Sequence, residues 1–175
     1  MAFFKEELNR VKAFIFDVDG VLSNHAMELD GEGNLKRTSC AKDGYALMYA
    51  RSKGYPVGII SGGKGPGIKE RLEKLSVEDI YLHQSNKLVA LDDFLTKHNL
   101  KKEDIMYMGD DIPDYELMKI IGVPVCPADA CPEIKSISAY ISDVRGGNGC
   151  VRDVIAQVLK AQDKWMDTAS HVRSM

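Results

Sequence analysis

The sequence predicts an α/β domain built on a parallel sheet, and three observations carry that prediction. Short apolar runs rich in β-formers alternate with stretches of helical periodicity along nearly the whole chain. These runs are apolar on both alternating faces, the pattern of strands covered by helices on both sides. Several end abruptly in acidic or small residues, the first as Ala13-Phe14-Ile15-Phe16 followed by Asp17-Val18-Asp19-Gly20. At 175 residues the chain fits one domain, 1–175, with a sizeable core, and no second apolar block remains for another.

Residues 1–10 read as a short helical lead-in. The run 13–16 is the first strand. A buried strand does not hold unpaired carboxylates in its interior, so Asp17 and Asp19 belong at its C-terminal end, where open α/β sheets place ligands. Gly20 frees the chain to turn there. On these residues alone, a catalytic pair and an ordinary Asp-Gly turn are equally open. A turn-rich stretch, about 25–41 and centred on Asp30-Gly31-Glu32-Gly33-Asn34, predicts a hairpin. It is either a flap over the first strand end or a peripheral ornament.

Asp43-Gly44 opens a helix over 45–53 that Gly54 ends. A strand over 56–60 ends in Ser61-Gly62-Gly63. The helix over 66–75 has Pro66 in its first turn and Arg71 and Lys74 near its end. A strand over 79–82 precedes a helix over 86–98, with Leu88, Leu91 and Leu95 at helical spacing. The strand over 104–108 ends in Gly109-Asp110-Asp111, and a helix over 112–121 follows, closed by Gly122. Residues 123–126 form a fifth strand despite Pro124, and Tyr140-Ile141 a sixth. Arg145-Gly-Gly-Asn-Gly149 is a glycine-rich loop before a last helix over 150–162. The tail, about 164–175, is polar apart from Trp165, Met166 and Val172.

With 45% hydrophobic and 28% charged residues and a net charge of -3, the chain has neither the basic stripe of a nucleic-acid binder nor an attraction to anionic membranes. Its four cysteines form no C-x-x-C pair and read as reduced thiols rather than zinc ligands. The N-terminus is too charged for a signal peptide and no apolar run reaches a membrane span, so the expected compartment is the cytoplasm.

In a parallel sheet the strand ends share one edge. That edge would gather Asp17 and Asp19, Ser61-Gly62, Lys87, and Asp110, Asp111 and Asp114. Oxygen ligands without His or Cys suit a hard cation such as Mg²⁺. A hydroxyl, a backbone amide and a lysine suit phosphate oxygens. One carboxylate can attack phosphorus and a second can move the proton.

Taken as a set, Asp17-Val-Asp19-Gly-Val, Ser61-Gly62, Lys87 and Gly109-Asp110-Asp111-Ile-Pro-Asp114 resemble the four motifs of the haloacid dehalogenase superfamily of phosphatases. The resemblance implies a three-layer, Rossmann-like fold with a small β-hairpin flap and no cap domain. It implies Asp17 as nucleophile and Mg²⁺ ligand, and Asp19 as general acid/base that also gives the metal its backbone carbonyl. Asp110 is then the third protein ligand, with Asp111 and Asp114 in support, and Ser61, Gly62 and Lys87 bind the transferring phosphoryl group. Size, hairpin, Lys42-Asp43-Gly44-Tyr45 and Arg145-Gly-Gly-Asn-Gly149 are similar to the capless 3-deoxy-D-manno-octulosonate 8-phosphate phosphatases. Those enzymes serve lipopolysaccharide synthesis as homotetramers, with active sites near subunit interfaces and a C-terminal tail reaching a neighbouring site. The tail here is either such an element or an unstructured terminus.

Asn24 and Gly63 depart from that family's pattern, which commonly has aspartate and often arginine at these positions. Gly63 leaves the substrate open between an eight-carbon and a nine-carbon, sialic-type sugar acid phosphate. Lys64 or Arg71 is the expected partner of the sugar carboxylate, unless both are surface cations. Two further readings stay open: a non-catalytic tetramerisation domain of the kind attached to cytidylyltransferases, and a phosphatase of broad specificity.

Overall fold

The computed structural model describes residues 2–167. Its strands are β1 (Ala13–Phe16), β2 (Glu28–Leu29), β3 (Leu35–Lys36), β4 (Val57–Ile60), β5 (Asp79–Tyr81), β6 (Ile105–Met108), β7 (Val123–Cys126) and β8 (Tyr140–Ile141). Its α-helices are α1 (Ala2–Glu7), α2 (Ala41–Ser52), α3 (Pro66–Lys74), α4 (Lys87–His98), α5 (Tyr115–Met118), α6 (Pro132–Ile137) and α7 (Cys150–Ala161). The apolar runs pair in parallel as a six-stranded sheet in the order β5-β4-β1-β6-β7-β8. β1 lies inside it, with Phe14 opposite Val57 on one side and Met106 on the other.

Strand alternation sorts the core into two layers. Phe14, Phe16, Ile59, Met106, Met108 and Val125 pack toward α2, α3 and α7. Ala13, Ile15, Ile60, Tyr107 and Cys126 pack toward α4, α5 and α6. The result is the expected three-layer arrangement. Full burial of one side chain such as Phe94 contributes about 1.5–3 kcal/mol.

Two expectations are corrected, and one helix is additional. α2 begins at Ala41 rather than Tyr45, because Asp43 points inward and accepts hydrogen bonds from the Gly149 and Arg152 amides at 3.2 and 2.7 Å. Asp43 thus caps α7 instead of opening α2. The helix expected over 112–121 is a 3-10 turn (Ile112–Asp114) followed by the four-residue α5, since the Asp114 side chain folds back onto the Asp110 and Asp111 amides. α6 was not foreseen; it is short, starts on Pro132, and buries only Ile134.

The hairpin is present as the antiparallel pair β2–β3, with Glu28 opposite Lys36 and Leu29 opposite Leu35. Asp30 closes its turn by accepting from the Glu32 and Asn34 amides. At the other end of the chain, Trp165 packs edge-on against Tyr49 and under the Arg152 guanidinium. The expectation that the tail reaches a neighbouring site falls on residues 168–175, outside the described residues. The cysteines are free thiols. Among the described residues, no helix is long and apolar enough to cross a membrane.

Candidate active site

β1 delivers Asp17 to the sheet edge. Its amide still follows the strand ladder, donating to the Met108 carbonyl at 3.1 Å. One carboxylate oxygen accepts from the Val18 amide at 2.6 Å, and the other lies 2.9 Å from Lys87 Nζ. Lys87 opens α4, whose N-cap Asn86 accepts from the Leu88 amide. That cap turns the first helical residue inward, and Lys87 is buried. Its ammonium also reaches Asp114 Oδ1 at 2.6 Å and the Tyr107 hydroxyl at 3.4 Å. Asp114 is engaged through both oxygens: Oδ1 by Lys87 and the Tyr107 hydroxyl, Oδ2 by the Asp110 and Asp111 amides at 3.0 and 3.4 Å.

Charge in this cluster is unbalanced. Asp17, Asp110 and Asp114 are buried, each offers an oxygen within 4.8 Å of the others, and Lys87 is the cation that touches two of them. Burial and then the Asp114 charge push Asp17 up to about 6, against the pull of Lys87. Burial and the charges of Asp114 and Asp17 push Asp110 up to about 8. Burial pulls Lys87 down, but Asp17 and Asp114 outweigh it and hold the ammonium above its ordinary value. Closely set all-oxygen donors with surplus negative charge fit a divalent hard cation. Asp114 carries two partners on each oxygen and Asp17 one on each, so Asp17 and Asp110 keep the more open lone pairs for a metal.

The approach to Asp110 depends on Gly20. A Cβ there would lie 2.1 Å from Asp110 Oδ2, and the residue has φ +82°. Beyond Asp110, His25 Nδ1 lies 3.3 Å from the same oxygen. At the end of β4, Ser61 is buried and its Oγ accepts from the Gly63 amide at 3.0 Å.

Two cavities meet here. The smaller, about 280 Å³, is lined by Asp17, Ser61, Lys87 and Asp110 among others. The larger, about 1100 Å³, runs beneath the hairpin and is lined by Arg37, Lys64, Arg71, Leu47 and Leu72 among others. Asp19, Gly62 and Gly63 border both. The Asp19 carboxylate is held in a fork by Arg37, at 2.6 and 3.0 Å, and accepts weakly from Ser23 Oγ at 3.3 Å.

The expected residues therefore separate. Asp17, Lys87 and Asp114 are in direct contact, with Asp110 beside them. Ser61, Gly62 and Asp19 line the small cavity, Lys64 and Arg71 the large one, and Asp111 is exposed with its amide on Asp114. Three residues were missed. Tyr107 carried a signal, a hydroxyl inside a buried strand that needs a partner. Arg37 and His25 carried none, because their contacts are made through space by the hairpin region.

A family model for haloacid dehalogenase-like hydrolases matches residues 77–153. The chain is 35% identical over 154 residues to the 3-deoxy-D-manno-octulosonate 8-phosphate phosphatase of Escherichia coli K12, covering 88% of this chain and 82% of that protein. The Moraxella catarrhalis 3-deoxy-D-manno-octulosonate 8-phosphate phosphatase, solved with magnesium, phosphate and a KDO molecule, superposes with TM-score 0.90 at 30% identity over 94% of this chain and 95% of that one. The Yersinia pestis enzyme superposes with TM-score 0.89 at 31% identity over 92% and 87%. The chain belongs to the 3-deoxy-D-manno-octulosonate 8-phosphate phosphatase family of haloacid dehalogenase-like hydrolases.

Proposed function

We propose that this chain is a Mg²⁺-dependent phosphatase that hydrolyses 3-deoxy-D-manno-octulosonate 8-phosphate to the free sugar acid and phosphate. One observation carries the reading: Asp17, Lys87 and Asp110 share a small polar cavity whose wall toward a larger one is Asp19. The small cavity suits a phosphoryl group and the large one the sugar it leaves. A carboxylate oxygen of Asp17 attacks phosphorus as the bond to the sugar oxygen breaks, and Asp19 gives that oxygen its proton. Water then attacks the phosphoaspartate, its proton returning to Asp19, and phosphate departs. Lys87 and Ser61 hold the phosphoryl oxygens. Asp17, Asp110 and the Asp19 carbonyl would hold Mg²⁺, which supplies charge neutralisation for two anions brought together.

The volume of the larger cavity, about 1100 Å³, and the absence of a side chain at Gly63 favour one second reading, a nine-carbon sugar acid 9-phosphate. The assembly is a homotetramer in the cytoplasm, with Leu29 and Leu35 of the hairpins, 69% and 45% exposed, covered between subunits. The test is phosphate release from eight- and nine-carbon keto sugar acid phosphates, with Mg²⁺ and with chelator. We expect Mg²⁺-dependent preference for the eight-carbon acid and a loss of about 10³-fold or more in Asp17→Asn. No release by well-folded protein, or equal rates in Asp17→Asn, overturns the mechanism.

A further inference from the structure

Resting on that reading, we infer that Arg37 binds the carboxylate of the substrate's leaving group and is parked on Asp19 while no substrate is bound. Arg37 follows β3 and reaches from the hairpin to the Asp19 carboxylate, both of whose oxygens it occupies at 2.6 and 3.0 Å. Its Nη1 donates to the Lys64 carbonyl at 3.0 Å, which closes the hairpin onto the loop after β4. The fork suits a carboxylate in general, because a guanidinium presents two parallel N–H groups at carboxylate spacing.

One observation points its second partner to the leaving group, and another shows how the guanidinium fits there. Arg37 lines the larger cavity and not the smaller one, so it faces the sugar rather than the transferring phosphoryl. The space above Gly63 is closely bordered by it: a Cβ at that position would stand 3.3 Å from Arg37 Nη2 and 3.1 Å from both Asp19 Oδ2 and Ser61 Oγ. Glycine there lets the guanidinium lie against the wall between the cavities. Asp19 carries an Arg37 N–H on each oxygen, and that fork must loosen before either oxygen turns to the leaving group. A ligand carboxylate entering the large cavity offers Arg37 an equivalent partner and releases Asp19. Substrates with an acid group thus unlock the acid that cleaves them, while phosphoesters without one leave it engaged.

The test is calorimetric binding to Asp17→Asn protein with Mg²⁺, with and without Arg37→Ala or Arg37→Lys. The ligands are 3-deoxy-D-manno-octulosonate 8-phosphate and a matched open-chain pair, 6-phosphogluconate and glucitol 6-phosphate, that differ in the carboxylate. We expect Arg37→Ala to weaken the two acids by about 10- to 100-fold more than glucitol 6-phosphate, with Arg37→Lys recovering part of the loss. A hairpin with a merely structural role weakens all three alike, and that result overturns the inference. If the Arg37-intact protein binds the matched pair but not the eight-carbon acid, the substrate assignment fails and Arg37 is still judged on the pair. Binding of no ligand overturns both.

Discussion

Asp114 sets the character of the site at the level of single residues. It spends both oxygens on Lys87, Tyr107 and two backbone amides, so the loop after β6 is shaped before any ligand arrives. The cost is negative charge packed into a buried space, which pushes Asp17 up to about 6 and Asp110 up to about 8 from an ordinary 3.8. A carboxyl raised in the folded state favours folding when protonated. That contribution is complete below about pH 4 and is lost as pH rises toward 6 and then 8. Chelator-treated protein should therefore melt at progressively lower temperature from pH 5 to 8, and Mg²⁺ should raise the melting temperature more at pH 8 than at pH 6. A Mg²⁺ shift that stays constant across this window contradicts the account. The acids at strand ends were legible in the sequence because chain order alone assigns them to one edge of a parallel sheet. Arg37 was not, because its partner lies 18 residues away and the pairing depends on how the hairpin folds over.

Among the elements, the glycine-rich loop before α7 holds the turn after β1. Gly147 donates to the Val21 carbonyl at 2.8 Å, and a Cβ on Gly146 would lie 1.9 Å from the Gly20 carbonyl oxygen. The contact is backbone on backbone, so neither side can yield by changing rotamer. Gly146→Ala should cost about 1–3 kcal/mol in denaturant unfolding and weaken Mg²⁺ binding, since it displaces the turn that borders Asp110. Gly31→Ala, in the open hairpin turn with nothing within 4 Å, should change stability by less than about 0.5 kcal/mol. Equal effects of the two substitutions would refute the buttress. The loop was recognisable as glycine-rich, but its partner was not. The same blindness placed the start of α2 four residues late, because Asp43 caps a helix more than a hundred residues further on. Long-range capping leaves no periodicity to read.

For the whole molecule, the exposed Leu29–Leu35 pair gives the proposed tetramer its test. Light scattering on gel-filtered protein should return four times the 19.4 kDa chain. Leu29→Glu with Leu35→Glu should reduce that mass while leaving the far-ultraviolet circular dichroism intact, because neither side chain belongs to the core. A wild-type monomer would rule the tetramer out. The sheet order was open to inference only as far as strand–helix alternation goes; which strand lies beside which is decided by packing across the two layers. That order also bears on synthesis. β1 is the first strand to leave the ribosome, yet its two neighbours are β4 and β6. At the usual pace of translation, roughly 5 to 20 s separate its emergence from that of β6. Through that interval a wholly apolar segment ending in two acids has no finished sheet to join. Asp110 and Asp114 follow later still, so a nascent chain carries its proposed nucleophile before the rest of the proposed site exists.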